Sequence, residues 1–136
     1  MFLVDSHCHL DGLDYQALHT DVNDALSKAA ARDVKFFLAV ATTLPGYRTM
    51  RELVGERNDV AFSCGVHPLN QDETYDVEDL RRMAAEPGVV AMGETGLDYF
   101  YTPETKDRQQ ESFRHHIRIG RELNKPVIVH TRDARA

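Results

Sequence analysis

Five short runs of apolar residues punctuate the chain: Phe2 to Asp5, Val34 to Val40, Val60 to Val66, Gly88 to Met92 and Pro126 to His130. Several are nearly continuous in Val, Phe, Leu, Ala and Ile, the pattern of parallel strands covered on a face by helices. Between them the apolar period lengthens. Over residues 15 to 29, Tyr15, Leu18, Val22, Leu26 and Ala29 recur at spacings of three and four, which predicts one helix face with Asp21, Asp24 and Lys28 left for solvent. Residues 48 to 57 and 77 to 85 repeat this through Leu53 and Val54, then Val77, Leu80 and Ala84. The longest stretch, 104 to 123, is read with Phe113, Ile117 and Leu123 inward and stops at Asn124-Lys125-Pro126.

The resulting order, βαβαβαβαβ, calls for right-handed crossovers and a parallel sheet, either doubly wound or closed into a barrel. A (β/α)8 barrel usually takes about 250 residues, and these 136 residues carry five of its eight strands with four helices. No repeat, low-complexity tract or linker divides them, so residues 1–136 are read as a single incomplete barrel domain.

Composition narrows the class. With 42% hydrophobic residues the chain can pack a core, and no apolar run approaches the roughly 18 residues of a membrane span. The N-terminus meets Asp5 without a basic stretch, which does not resemble a secretory signal. Cys8 and Cys64 have no CxxC spacing. A cytoplasmic, reducing location is expected. The 22 acidic residues outnumber the 16 basic ones, for a net charge of −6. A protein that holds nucleic acid mainly by counterion release should be basic, so any nucleic-acid substrate must be gripped locally.

Candidate chemistry gathers at strand ends. In Asp5-Ser6-His7-Cys8-His9, residues two apart face the same side of extended backbone, so His7 and His9 point together while Cys8 points away. Two such imidazoles can bind one metal ion. Gly93-Glu94-Thr95-Gly96-Leu97-Asp98 places a carboxylate at the end of the fourth strand, and His130 ends the fifth. In a parallel sheet all of them lie at the same end, where α/β active sites form. A metal site follows from that convergence.

These segments, with Gly65-Val66-His67-Pro68 and Thr131-Arg132-Asp133-Ala134, resemble the motifs of the TatD family of metal-dependent deoxyribonucleases in order and interval. The resemblance covers essentially the whole chain but only the N-terminal half of a family member. It implies a (β/α)8 TIM barrel of the metal-dependent hydrolase type with two divalent ions (Mg, Mn or Zn) at its mouth. His7 and His9 would hold one, catalytic Glu94 would bridge both, and His130 would hold the second. The family also draws a His from the sixth strand and an Asp, its water-activating base, from the eighth. This chain supplies neither.

Three further residues stand on the substrate side. His67 either contacts substrate, as the resemblance implies, or is structural. Where many relatives follow the His-Pro with a second His, Leu69 stands here. Arg132 either pairs bidentately with a phosphate or is a solvated loop residue. Asp98 either orients a metal-site group through a hydrogen bond or caps a turn. His115-His116 is read as surface, because adjacent helical residues do not share a face. The leading expectation is a metal-dependent hydrolase that cleaves DNA, single-stranded or at an end. The rivals are a hydrolase of small amides, lactones or phosphoesters on the same barrel, and an inactive fragment that self-associates through its exposed sheet edges.

Overall fold

The computed structural model describes residues 1–71 and 74–135. Its elements alternate: β1 (Leu3–Cys8), α1 (Val22–Ala30), β2 (Val34–Ala39), α2 (Leu44–Val54), β3 (Val60–Cys64), α3 (Val77–Ala84), β4 (Val89–Asp98), α4 (Lys106–Leu123) and β5 (Val127–Arg132). The strands form one sheet in the order β1-β2-β3-β4-β5, every neighbour parallel. That order decides between the two architectures left open above. A doubly wound sheet reverses direction at a switch point, whereas sequential order without reversal builds the wall of a barrel. The five strands are a half-barrel.

One hydrophobic cluster joins the sheet to its helices: Phe37, Phe62, Cys64 and Met92 from the strands meet Leu26 of α1, Tyr47 and Met50 of α2, Leu80 of α3 and Ile119 of α4. The flanks are bare. Phe2 and Val4 at the β1 edge and Val129 on β5 are each more than half exposed. No helix among the described residues is long and apolar enough to cross a membrane.

Several boundaries differ from the sequence reading, each for a local reason. The first helix starts at Val22, not near residue 15, because the Asp21 side chain accepts the Asp24 N–H as its cap. Asp14 likewise takes the N–H groups of Gln16 and Ala17 into a turn, which leaves Leu18 exposed. The second helix starts earlier than expected, at Leu44, where Thr43 accepts the Gly46 N–H and Pro45 suits the first turn. β4 runs six residues past Met92 to Asp98, so Glu94 lies within a paired strand. The largest correction concerns α4. Phe113 is only half-buried and Ile117 is exposed, while Gln109, Ser112, His116, Ile119 and Gly120 form the inward face.

Candidate metal centre

Sheet pairing carries the four predicted ligands to one place. His7 lies one residue before the end of β1, and His9 lies two residues on, its ring fixed by a 2.8 Å hydrogen bond from Nδ1 to the Val40 carbonyl just past β2. Cys8 turns the other way and donates to the Leu38 carbonyl. Burial pushes its thiol up to about 12, so it offers no thiolate. Glu94 is aimed by backbone on both sides. Its N–H donates to the Ala41 carbonyl, and the preceding Gly93 carbonyl accepts from the buried Ser63 hydroxyl at 2.7 Å. Ser63 also accepts the Ala41 N–H, and so links the ends of β2, β3 and β4. Sequence inspection passed over this serine, which no spacing distinguishes from any other strand residue.

Around the Glu94 carboxylate the imidazoles divide into two sets. Oε2 faces His7 Nε2 at 3.2 Å and His9 Nε2 at 3.7 Å. Oε1 faces His130 Nδ1 at 3.5 Å and His67 Nε2 at 3.7 Å. Hydrogen-bond partners set the tautomers. The Val40 carbonyl can only accept, so His9 Nδ1 carries the proton of the neutral ring and Nε2 turns a lone pair toward Glu94. The Asp98 carboxylate accepts from His130 Nε2 at 2.9 Å, which turns the His130 Nδ1 lone pair toward the other Glu94 oxygen. Each carboxylate oxygen thus faces one ring lone pair, His9 Nε2 at Oε2 and His130 Nδ1 at Oε1, although the His67 Nε2 also lies near Oε1. A cation resolves both conflicts. Two donors each about 2.1 Å from one ion come within roughly 3 to 4 Å of each other, as these pairs do. The neutral imidazole and carboxylate donors fit a divalent ion on each side of Glu94.

His67 belongs to the same cluster with the opposite polarity. Its Nδ1 accepts the Leu69 N–H at 3.1 Å, so its Nε2 carries a proton and points it into the centre as a donor. Burial lowers its pKa below the usual imidazole value, although Glu94 pulls the other way. Asp98 is fully buried behind His130 and serves both roles left open for it. One oxygen holds His130, and the other accepts the N–H groups of Phe100 and Tyr101 at 3.0 Å each. Burial alone would raise its pKa, but those N–H groups and His130 together hold it below the usual carboxylate range. Arg132 is exposed one step beyond His130 on β5, its guanidinium resting on the rings of Phe100 and Tyr101.

The inward face of α4, where the sequence reading expected Phe113 and Ile117, supports the centre from below. Gln109 accepts the Asp98 N–H at 2.7 Å and donates back to the Asp98 carbonyl, fixing the residue that fixes His130. His116, read as surface, is fully buried. Its Nδ1 donates to the Ser112 carbonyl and its Nε2 accepts the N–H of Val66, the residue before His67. Burial pushes its pKa down to about 4. Because the unfolded ring titrates near 6.5, the unfolded chain binds a proton between those values that the folded chain cannot. Stability therefore falls as pH drops from 6.5 to 4, by up to about 1.4 kcal/mol per unit. Urea unfolding at pH 7 and pH 4.5 should show a smaller difference for His116→Gln than for the unaltered protein. Equal differences would remove His116 as the cause.

A profile of the family described as TatD related DNase matches residues 4–136. The uncharacterized metal-dependent hydrolase YcfH of Escherichia coli (strain K12) is 83% identical over 136 residues, which span 100% of this chain and 51% of that protein. The 3'-5' ssDNA/RNA exonuclease TatD of Shigella flexneri is 34% identical over 116 residues, 84% of this chain and 45% of that one. Among solved structures, the TatD homolog YJJV of Escherichia coli K12 superposes with a TM-score of 0.83 at 28% identity, over 96% of this chain and 51% of its own. The chain spans about half the length of the relatives it matches.

Proposed function

Because the chain belongs to the TatD related DNase family, we propose that its centre binds two divalent ions and that the protein hydrolyses phosphodiester bonds of DNA. The observation that carries this reading is the arrangement at Glu94, where an unprotonated imidazole nitrogen confronts each carboxylate oxygen. His7 and His9 would hold one ion and His130 the other, with the Glu94 carboxylate available to both. Such ions, when bound, supply an activated water and neutralise charge on the scissile phosphate.

The protein's own groups bind and orient. His67 directs an N–H at the place a phosphate oxygen would take beside Glu94, and its lowered pKa keeps the ring neutral, with that donor in place, at ordinary pH. Arg132 adds the positive charge at the rim that an acidic protein needs to receive a polyanion. A few cationic points at a pocket suit a single strand or an end better than a long duplex laid along a groove. The bare edges of β1 and β5 supply the surface through which these 136 residues alone would self-associate.

The test uses these 136 residues joined to the remaining half of the 83%-identical relative, stripped with chelator and reloaded with Mg²⁺, Mn²⁺ or Zn²⁺. Reloading is expected to restore nucleotide release from single-stranded DNA, and chelator to abolish it. No release with any of the three ions would overturn the reading. Turnover of a lactone in place of the oligonucleotide would move the substrate to the small-molecule class.

A further inference from the structure

Phe100 and Tyr101 lie just past Tyr99 in the turn after β4 and expose 52% and 57% of their surface. The two rings meet edge to face with centroids 4.8 Å apart. The Arg132 guanidinium lies 4.2 Å from the Phe100 centroid and 4.8 Å from that of Tyr101, and donates to the Tyr101 hydroxyl at 3.2 Å. This cluster is joined to the metal centre. The Asp98 carboxylate that accepts the backbone N–H groups of Phe100 and Tyr101 also holds His130. The Tyr99 N–H further ties the segment to the Arg132 carbonyl across the sheet. Two exposed rings and a guanidinium are therefore held in fixed relation to the ligands, one buried carboxylate away.

The chemistry narrows what can sit there. Aromatic faces bind the π-face of any nucleobase, and a guanidinium adds cation–π attraction and pairing with phosphate. A small aliphatic ester or lactone has no flat surface to use such rings. We infer that Phe100, Tyr101 and Arg132 form a stacking platform for the base adjoining the scissile phosphate. The inference rests on the nuclease reading above and adds to it the part of the substrate that is gripped. Stacking of this kind tolerates any base and favours single strands, whose bases are free to leave one another. It also shows how a chain of net charge −6 can hold DNA with few cations, since stacking needs no counterion release.

The experiment measures fluorescence anisotropy of the same joined protein, loaded with Mg²⁺, on a phosphorothioate-linked single-stranded oligonucleotide and on its counterpart with abasic sites. Phe100→Leu with Tyr101→Leu is expected to weaken binding of the intact oligonucleotide about tenfold and to leave the abasic one unchanged. Arg132→Gln is expected to weaken both. Equal binding by variant and unaltered protein overturns the platform alone. So does a lowered melting temperature with binding unchanged, which would assign the rings to packing against another part of the protein. Failure of the unaltered protein to bind either oligonucleotide overturns the nuclease reading, and the platform with it.

Discussion

Glu94→Gln is expected to abolish binding of both ions, to cut hydrolysis by about 10³-fold or more, a barrier increase of about 4 kcal/mol, and yet to stabilise the metal-free protein. The first two effects follow from removing the charge that each ion shares. The third follows from the tautomers. In the metal-free centre the Glu94 oxygens face lone pairs on His9 and His130. A glutamine amide with its nitrogen in place of Oε2 can donate to the His9 lone pair while its oxygen stays where the His67 N–H points. One such hydrogen bond is worth about 1 kcal/mol net, or roughly 2–6 °C of melting temperature. Calorimetric titration with Mn²⁺ and thermal melting in chelator check the two halves separately. A metal-free variant that melts lower, or that still takes up two ions, would mean that the carboxylate is not the bridge between them.

Gly96→Ala should be the most damaging small substitution near the centre. Gly96 pairs with His130 across β4 and β5 and has φ +134°, a conformation that L side chains rarely adopt. A Cβ there would overlap the His130 carbonyl oxygen. Backbone strain of about 1–3 kcal/mol then combines with displacement of the strand that carries a ligand. The expected loss is about 3 kcal/mol or more in stability, with weaker uptake of the ion that His130 would hold. Gly55→Ala separates the two causes. That glycine also has positive φ, at +67°, but nothing lies within 4 Å of an added Cβ, so only the backbone cost applies. Equal losses at both positions in chemical denaturation would show that the overlap at His130 relaxes freely.

The gathering of His7, His9, Glu94 and His130 was legible in the sequence because its signal is local. His7 and His9 stand two apart in extended backbone, and period two alone turns them the same way. Glu94 and His130 end apolar runs that can only be strands, and parallel strands put all such ends on one side. The supporting residues carried no such signal. His116, Gln109 and Ser112 lie on a helix face whose composition reads as solvated, and the expectation that apolar residues point inward chose Phe113 and Ile117 instead. The inward face of α4 is polar because it receives backbone groups of the β3 and β4 ends, the Val66 N–H and the Asp98 peptide, which need hydrogen-bond partners once they are buried. Capping by Asp14 and Asp21 shortened α1 for a related reason: side-chain oxygens near a helix start compete for the backbone N–H groups that the apolar period had assigned to the helix.

Sequence alone therefore determined the alternation of elements, the parallel sheet and the end of it where His7, His9, Glu94 and His130 gather, since each of these depends on spacing along the chain. Tertiary structure decided the singly wound order and the tautomers that distinguish His67, a donor, from His9 and His130, which offer lone pairs. A tautomer is set by whatever polar group lies against the other ring nitrogen. For His9 and His130 that group arrives from a segment some thirty residues distant, beyond the reach of any periodicity.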